Sequence, residues 1–444
     1  MNKRQVIFFI LFILQAAGLH AQDSTLTPAG EKRKTGWTFG TLPVLSYNTD
    51  MGLRYGWLVN FYDYGKGHAY PFYDHSIYLE ASRTTKGGGI YQIQVDSRKL
   101  LKGWRTMLDA GLFTEQGLDF FGFNGYQAWY NPAFIQPGDP AYISRVFYRI
   151  HRNMYHISLS AYKSFFIPSF RWFAGIEYSH ILIHTVDIHS LNKGLSGAEE
   201  LPDTFLLYDH YVAWGIIRPS EKNGGDNTLI KTGVIYDTRN EEANPSGGVW
   251  SELQLLGAPS FLCSHPSYLR LAFTHRQYVS LVPEKLSFAG RISWQGKLLG
   301  QMPFYMLPFI YNTVPNYTRD GLGGYATLRG IMRNRIAGED YVYGNLEIRW
   351  KFFRTLLWKQ NLYLALSAFA DGGMVTRPYS LNAAAVPEEY RSWISYRPET
   401  LHVAFGGGLR IALNNNFIVA VDTGVPLNPQ DGKTGVYIFL GWLF

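Results

Sequence analysis

Strict two-residue alternation constrains this chain more than any other feature. In NLEIRWKF, Leu346, Ile348, Trp350 and Phe352 share one face, and Asn345, Glu347, Arg349 and Lys351 share the other. A helix would scatter these residues round its axis; an extended strand sorts them into two faces. IYQIQVD repeats the pattern, with Tyr91, Ile93 and Val95 opposite Gln92, Gln94 and Asp96, and HISLSAY repeats it again. Alternation bounded by turn residues predicts strands centred near residues 42, 57, 79, 94, 110, 156, 176, 232, 252, 273, 292, 347, 366, 406, 419 and 439. That is an all-β chain of about 16 antiparallel strands. The stretch 209–218 could add another; an even count places it in a loop.

A soluble β-sandwich also alternates, so other features must choose between sandwich and barrel. Lys3 and Arg4, the apolar run Val6–Leu14 and the small residues up to Ala21 read as a signal peptide over 1–21. The expected mature chain starts near Gln22, with a short periplasmic linker at 22–36 and one barrel domain over 37–444. Aromatic residues make up 16% of the chain, including 31 Tyr and 12 Trp, although mean hydropathy is only −0.12. A transmembrane β-barrel explains both numbers. Aromatic girdles mark its two interfaces, and alternating inward and outward residues cancel in any average. Spacing supports this reading. The turns KSFFIPS, VPEKL, RTLLWK and LNNN are short, whereas the connections 116–148, 184–226, 298–340 and 373–399 are long. Short periplasmic turns and long outer loops are the asymmetry of outer-membrane barrels. The expected location is the outer membrane of a Gram-negative bacterium.

Several function classes fit poorly. Cys263 is the only cysteine, so neither a disulfide framework nor a cysteine-based zinc site can form. The net charge of +7 is spread along the chain without a basic stripe, which argues against nucleic acid. Acidic lipopolysaccharide or a charged lumen accounts for that charge more simply. Serine-hydrolase, zincin and phosphate-loop motifs are all missing, so we expect a non-enzyme with no cofactor and no metal. His180 and His184 fall on one strand face and read as surface or lumen histidines. A serine–histidine pair assembled across strands stays open as a hydrolase alternative.

Ordered motifs add a resemblance. GVIYDTRNEEANPSGGVW, from Gly233, resembles the Asp-Thr-Arg…Pro…Gly signature of the BamA/TamA superfamily, the bacterial surface antigen barrels; here it carries Asp237, Thr238, Arg239, Pro245 and Gly248. GGYATLRGI resembles the sixth outer loop of that family, with Leu328, Arg329 and Gly330 at its motif and Ile331 where an aromatic is usual. GNLEIRW, FADGGMV, GGGLRI and the final Phe444 follow in family order, and SYNTDMGLRYG is similar to the first hairpin. FFGFNGY fits the family's Gly-x-Gly pattern only loosely. VYIFLGWLF puts Val436, Ile438, Leu440, Trp442 and Phe444 on one face, and it resembles the terminal signal that directs barrel assembly.

The resemblance implies that the sixth loop folds into the lumen, where Arg329 docks on Asp371 and Glu347. Asp237–Gly248 would form a periplasmic turn. It also implies a weak seam between roughly Thr38–Ser46 and Val436–Phe444, and assistance with insertion or translocation of proteins or lipids. The periplasmic POTRA modules of that family are not expected here, so a separate periplasmic partner would handle clients. Outer-membrane lipids, including lipopolysaccharide, and client outer-membrane proteins are the expected partners. A passive channel or docking platform with a loop plug is the alternative.

Overall fold

The computed structural model describes residues 34–444 except 69–71, 243, 263–265, 314–317, 358–359 and 414–416. The signal peptide, most of the linker and Cys263 lie outside the described residues, as do parts of the RTLLWK and LNNN turns.

Sixteen strands follow one another round a closed antiparallel barrel. They are β1 (Trp37–Asn48), β2 (Gly52–Asp63), β3 (His75–Thr84), β4 (Gly89–Ser97), β5 (Arg105–Asp119), β6 (Arg149–Phe165), β7 (Ile167–Thr185) and β8 (Gly224–Asp237). The second half comprises β9 (Gly248–Ala258), β10 (Tyr268–Val282), β11 (Leu286–Gly300), β12 (Asp340–Leu357), β13 (Gln360–Arg377), β14 (His402–Leu413), β15 (Phe417–Pro426) and β16 (Gly435–Leu440). Each strand pairs with its sequence neighbours, and β16 returns to β1. Every predicted centre falls inside a strand. The stretch near 209–218 instead carries a short helix, α1 (Leu207–Ala213), within a long loop.

Burial follows the alternation. Leu346, Ile348 and Trp350 are exposed on the outside of β12, while Asn345, Glu347 and Arg349 are each 1% exposed on the inside. Trp37, Phe39, Phe165, Phe166 and Phe352 stand exposed at the short-turn end. That is where an interfacial girdle belongs. At the opposite end the long loops pack into an aromatic cap. Phe123 meets Tyr211 at 5.7 Å, and Trp393 packs on Phe134, Phe147 and Tyr390 at 4.8–5.5 Å. The largest apolar cluster of the described residues joins these loops to one another and to residues of β5–β10, such as Leu118, Met154 and Leu256.

One expected face ends early. Val436 and Leu440 point outward, but β16 stops at Leu440 and Gly441 takes φ +87°. Trp442 and Phe444 then turn inward and become buried. A positive φ is readily available to glycine and redirects the chain in one residue.

Candidate functional site

Arg329 is fully buried where the long β11–β12 connection meets the inner wall. Its backbone N and Nε donate to Asp371 Oδ2, each at 2.9 Å, and Nη2 donates to Asp371 Oδ1 at 3.0 Å. Nη1 donates to Glu347 Oε2 at 3.1 Å and to Asp422 Oδ2 at 2.9 Å. β12, β13 and β15 each supply one of these carboxylates at an inward position. The guanidinium carbon lies 3.4 Å from the Phe369 ring centre. Cation–π contact gives that inward Phe a partner beside its polar neighbours Ser367 and Asp371.

Two further arginines join the network. Arg349 Nε donates to Glu347 Oε1 at 3.2 Å, and Arg410 Nη2 donates to Asp422 Oδ2 at 3.0 Å, with a second Arg410–Asp422 contact beside it. Three arginines thus face three carboxylates, so the enclosed charge balances. Enclosed charge is tolerable when it is paired and hydrogen-bonded in this way.

The backbone beside Arg329 is equally confined. Gly330 has φ +96° and donates its N–H to the Tyr437 hydroxyl at 3.0 Å. A Cβ there would lie 2.6 Å from the carbonyl carbon of Gly424 on β15. Leu328 and Ile331 are fully buried with Ile310, Leu322, Ile336 and Tyr341. Asp422, Arg410, Gly424 and Tyr437 were not singled out from the sequence. Asp422 did leave a signal there: one acid at an inward position of the apolar run FIVAVDTGV.

The 238–247 turn reaches far beyond its own hairpin. Asp237 accepts from Arg239 Nε at 3.0 Å and from Arg171 Nη2 at 3.0 Å. Arg239 stacks on Trp250 at 4.4 Å, and Thr238 Oγ1 accepts from Val249 N at 3.1 Å, next to Gly248 at the start of β9. Across the barrel, Asn244 Nδ2 donates to the Tyr363 hydroxyl at 3.2 Å, and the Pro245 carbonyl accepts from Arg349 Nη1 at 3.5 Å. Arg349 Nη2 also donates to the Phe444 carbonyl oxygen at 3.0 Å, and its guanidinium lies 4.3 Å from the Trp442 ring centre. One arginine therefore touches the central network, the turn and the chain end. Nothing in the sequence linked these three segments.

The barrel closes weakly at one place. β1 pairs with β2 over twelve residue pairs, but with β16 over two, Tyr47–Ile438 and Asn48–Tyr437. Thr49 N donates to the Val436 carbonyl at 3.1 Å just above them. From Trp37 to Ser46, β1 has no strand partner on that side among the described residues.

His180 and His184 lie towards the long-loop end of β7, where His180 Nδ1 contacts Asp226 Oδ1 at 2.8 Å. Among the described residues no group of three or more His, Cys, Asp or Glu could hold a metal ion.

Residues 145–442 match the Omp85 superfamily domain. A structure of BamA from Haemophilus ducreyi lacking POTRA domains 1-3 aligns with TM-score 0.55 and 14% identity, covering 92% of this chain and 70% of that one. CdiB from Escherichia coli aligns with TM-score 0.55 and 10% identity, covering 93% of this chain and 64% of that one. This chain thus spans less than two thirds of CdiB. At such identities the likeness speaks for the fold alone. No curated protein matches the sequence. The domain match covers most of the chain: this outer-membrane β-barrel belongs to the Omp85 superfamily.

Proposed function

We propose that this barrel assists the insertion or translocation of proteins or lipids at the outer membrane, through the β1–β16 seam. The carrying observation is the pairing: two residue pairs close the seam, and ten residues of β1 edge are left over. An unpaired edge presents backbone donors and acceptors that an incoming strand can satisfy. No covalent bond is made or broken in that exchange, so the reading needs neither catalyst nor cofactor. The Arg329 network is the brace that fixes the loop against the wall while the seam moves. Lipids of the outer membrane, including lipopolysaccharide, would border the seam, and a separate periplasmic partner would deliver clients.

A reversible lock tests this reading. Tyr47 and Ile438 are register partners across the seam, within reach of a disulfide. In a Cys263→Ser background, oxidised Tyr47→Cys/Ile438→Cys should lose the ability to insert unfolded barrels into vesicles, and reductant should restore it. Full insertion by the oxidised protein would end the seam reading. In cells, depletion should lower many outer-membrane barrels together. An unchanged outer-membrane proteome would leave a channel or single-client role.

A further inference from the structure

A cavity of about 600 Å³ lies inside the barrel next to the seam. Its walls differ in character. On the seam side, Leu42, Val44 and Leu58 line it, and all three occupy inward positions by the parity of their strands. They contrast with the middle of the inward row of β12, which holds Asn345, Glu347 and Arg349. On the other side stand Arg276 and Arg291.

These two arginines are directly opposed in the β10–β11 register. They are 6% and 7% exposed, and no carboxylate pairs with either among the described residues. Arg291 donates to Asn345 Oδ1 at 2.8 Å and to the Ala326 carbonyl at 3.2 Å, both neutral. Arg276 lies 5.7 Å from the Trp250 ring centre, and its Nε is buried with no acceptor among the described residues. Glu252 on β9 is near enough to feel the charge of Arg276 but forms no ion pair with it: its Oε2 accepts from Thr313 N at 2.8 Å and from the Thr313 hydroxyl, and its Oε1 has no hydrogen-bond partner among the described residues. The other lining arginines are satisfied: Arg54 by Glu80 and Arg239 by Asp237. Like charges directly across a ladder repel. A buried cation without a partner is costly. An anion between Arg276 and Arg291 would correct both faults at once.

We propose that this cavity holds an anionic membrane lipid, with its phosphate between Arg276 and Arg291. One acyl chain lies along Leu42, Val44 and Leu58. The remainder stays in the bilayer beyond the unpaired β1 edge. The cavity volume falls within the range of small-molecule sites, about 300–1,000 Å³, enough for part of a lipid and too small for all of one. The unpaired Trp37–Ser46 edge provides continuity with the membrane. This assignment rests on the proposed open seam, but not on client insertion.

The test uses the full chain in phosphatidylcholine vesicles containing a minor fraction of phosphatidylglycerol with a photoreactive acyl chain. Label should appear on Leu42, Val44 or Leu58, as well as on the outward Phe39 and Trp57 that face bulk lipid. Photoreactive phosphatidylcholine should label only the outward pair. In Arg276→Gln/Arg291→Gln, inward label should fall about tenfold, the worth of a lost charged hydrogen bond, with outward label unchanged. The comparison of the two lipids needs no variant, so it stands even if the double variant folds poorly. Equal inward labelling by both lipids, or no inward label, overturns the proposal; so does label that ignores the arginine changes in a folded double variant. A peptide with a C-terminal aromatic residue that occupies the cavity while lipid does not would assign the site to a client terminus, and overturn it too. The oxidised Tyr47→Cys/Ile438→Cys lock leaves the lower edge unpaired, so it should keep inward label while insertion stops. Failure of either reading is thereby visible without the other.

Discussion

Arg329 is held by three carboxylates that come from three strands, so its removal exposes more than one missing contact. In Arg329→Ala, Arg349 and Arg410 would face Glu347, Asp371 and Asp422 alone, and one buried negative charge would be unmatched. Breaking a buried pair from one side costs about 3–5 kcal/mol. The expected outcome is a lower unfolding temperature in detergent and protease cleavage within 318–339. Arg329→Lys should recover only part of the loss, because an ammonium keeps the charge without the two-pronged contact to Asp371 or the stacking on Phe369. A variant with unchanged melting and unchanged protease resistance would remove the brace from the account. Asp50, in the β1–β2 turn, gives a second prediction of a different kind. Its Oδ2 has no hydrogen-bond partner among the described residues, and its pKa is pushed up to about 7 by burial and then by the charge of Asp119, against Arg333, Lys86 and Arg149. The folded state then holds a proton that the unfolded chain releases near 3.8. Stability from this group is present at low pH and lost as pH rises through about 7. Asp50→Asn should flatten that decline and make the barrel relatively more stable at neutral pH; an unchanged pH–melting curve would refute the assignment.

Elements were legible where period and length agree. The middle of β12 has one face in lipid and one in a polar interior, so hydrophobic and polar residues alternate without exception over NLEIRW, and a one-residue slip would reverse both faces. The long connections were legible as loops but not as structure. Their order comes from aromatic contacts between distant loops, such as Trp129 on Tyr396, 267 residues apart in sequence, at 5.8 Å, and no local period encodes that. The same holds for the 238–247 turn, whose tie to Tyr363 and Arg349 spans over a hundred residues. Arg329, Glu347 and Asp371 could be named together because a resemblance supplied the pairing; Asp422 and Arg410 carried the same chemistry without that help. The fit of loop to wall at Gly330 yields a prediction at this scale. Gly330→Ala would meet the β15 backbone while holding a positive φ, and each such strain costs about 1–3 kcal/mol. It should lift the loop from β15 and so expose Tyr437, raising chemical modification of that tyrosine. Unaltered modification would mean that the loop has room there.

At the scale of the whole molecule, a sixteen-stranded barrel is wide enough to leave an aqueous passage unless something fills it. Here the two ends differ. The long-loop end carries the aromatic cap, with Phe123 2% exposed and Tyr211 fully buried, and the middle carries the Arg329 network. A steady pore would need both to be displaced, which is why a passive channel is the weaker reading of this fold. Opening the cap alone should reveal how much each contributes. Phe123→Ala/Tyr211→Ala removes two rings that touch each other and Phe120, at about 3–5 kcal/mol for each large aromatic. Because those rings join loops and not strands, the barrel itself should still run as a folded species on unheated gels. In planar bilayers the parent chain should show low and intermittent conductance. The cap variant should show frequent brief openings, and combining it with Arg329→Ala should give long-lived ones. If the parent already conducts steadily, the cap is no seal and the channel reading gains. If the combined variant stays closed while folded, some other part of the chain obstructs the barrel, and neither cap nor network governs passage through it.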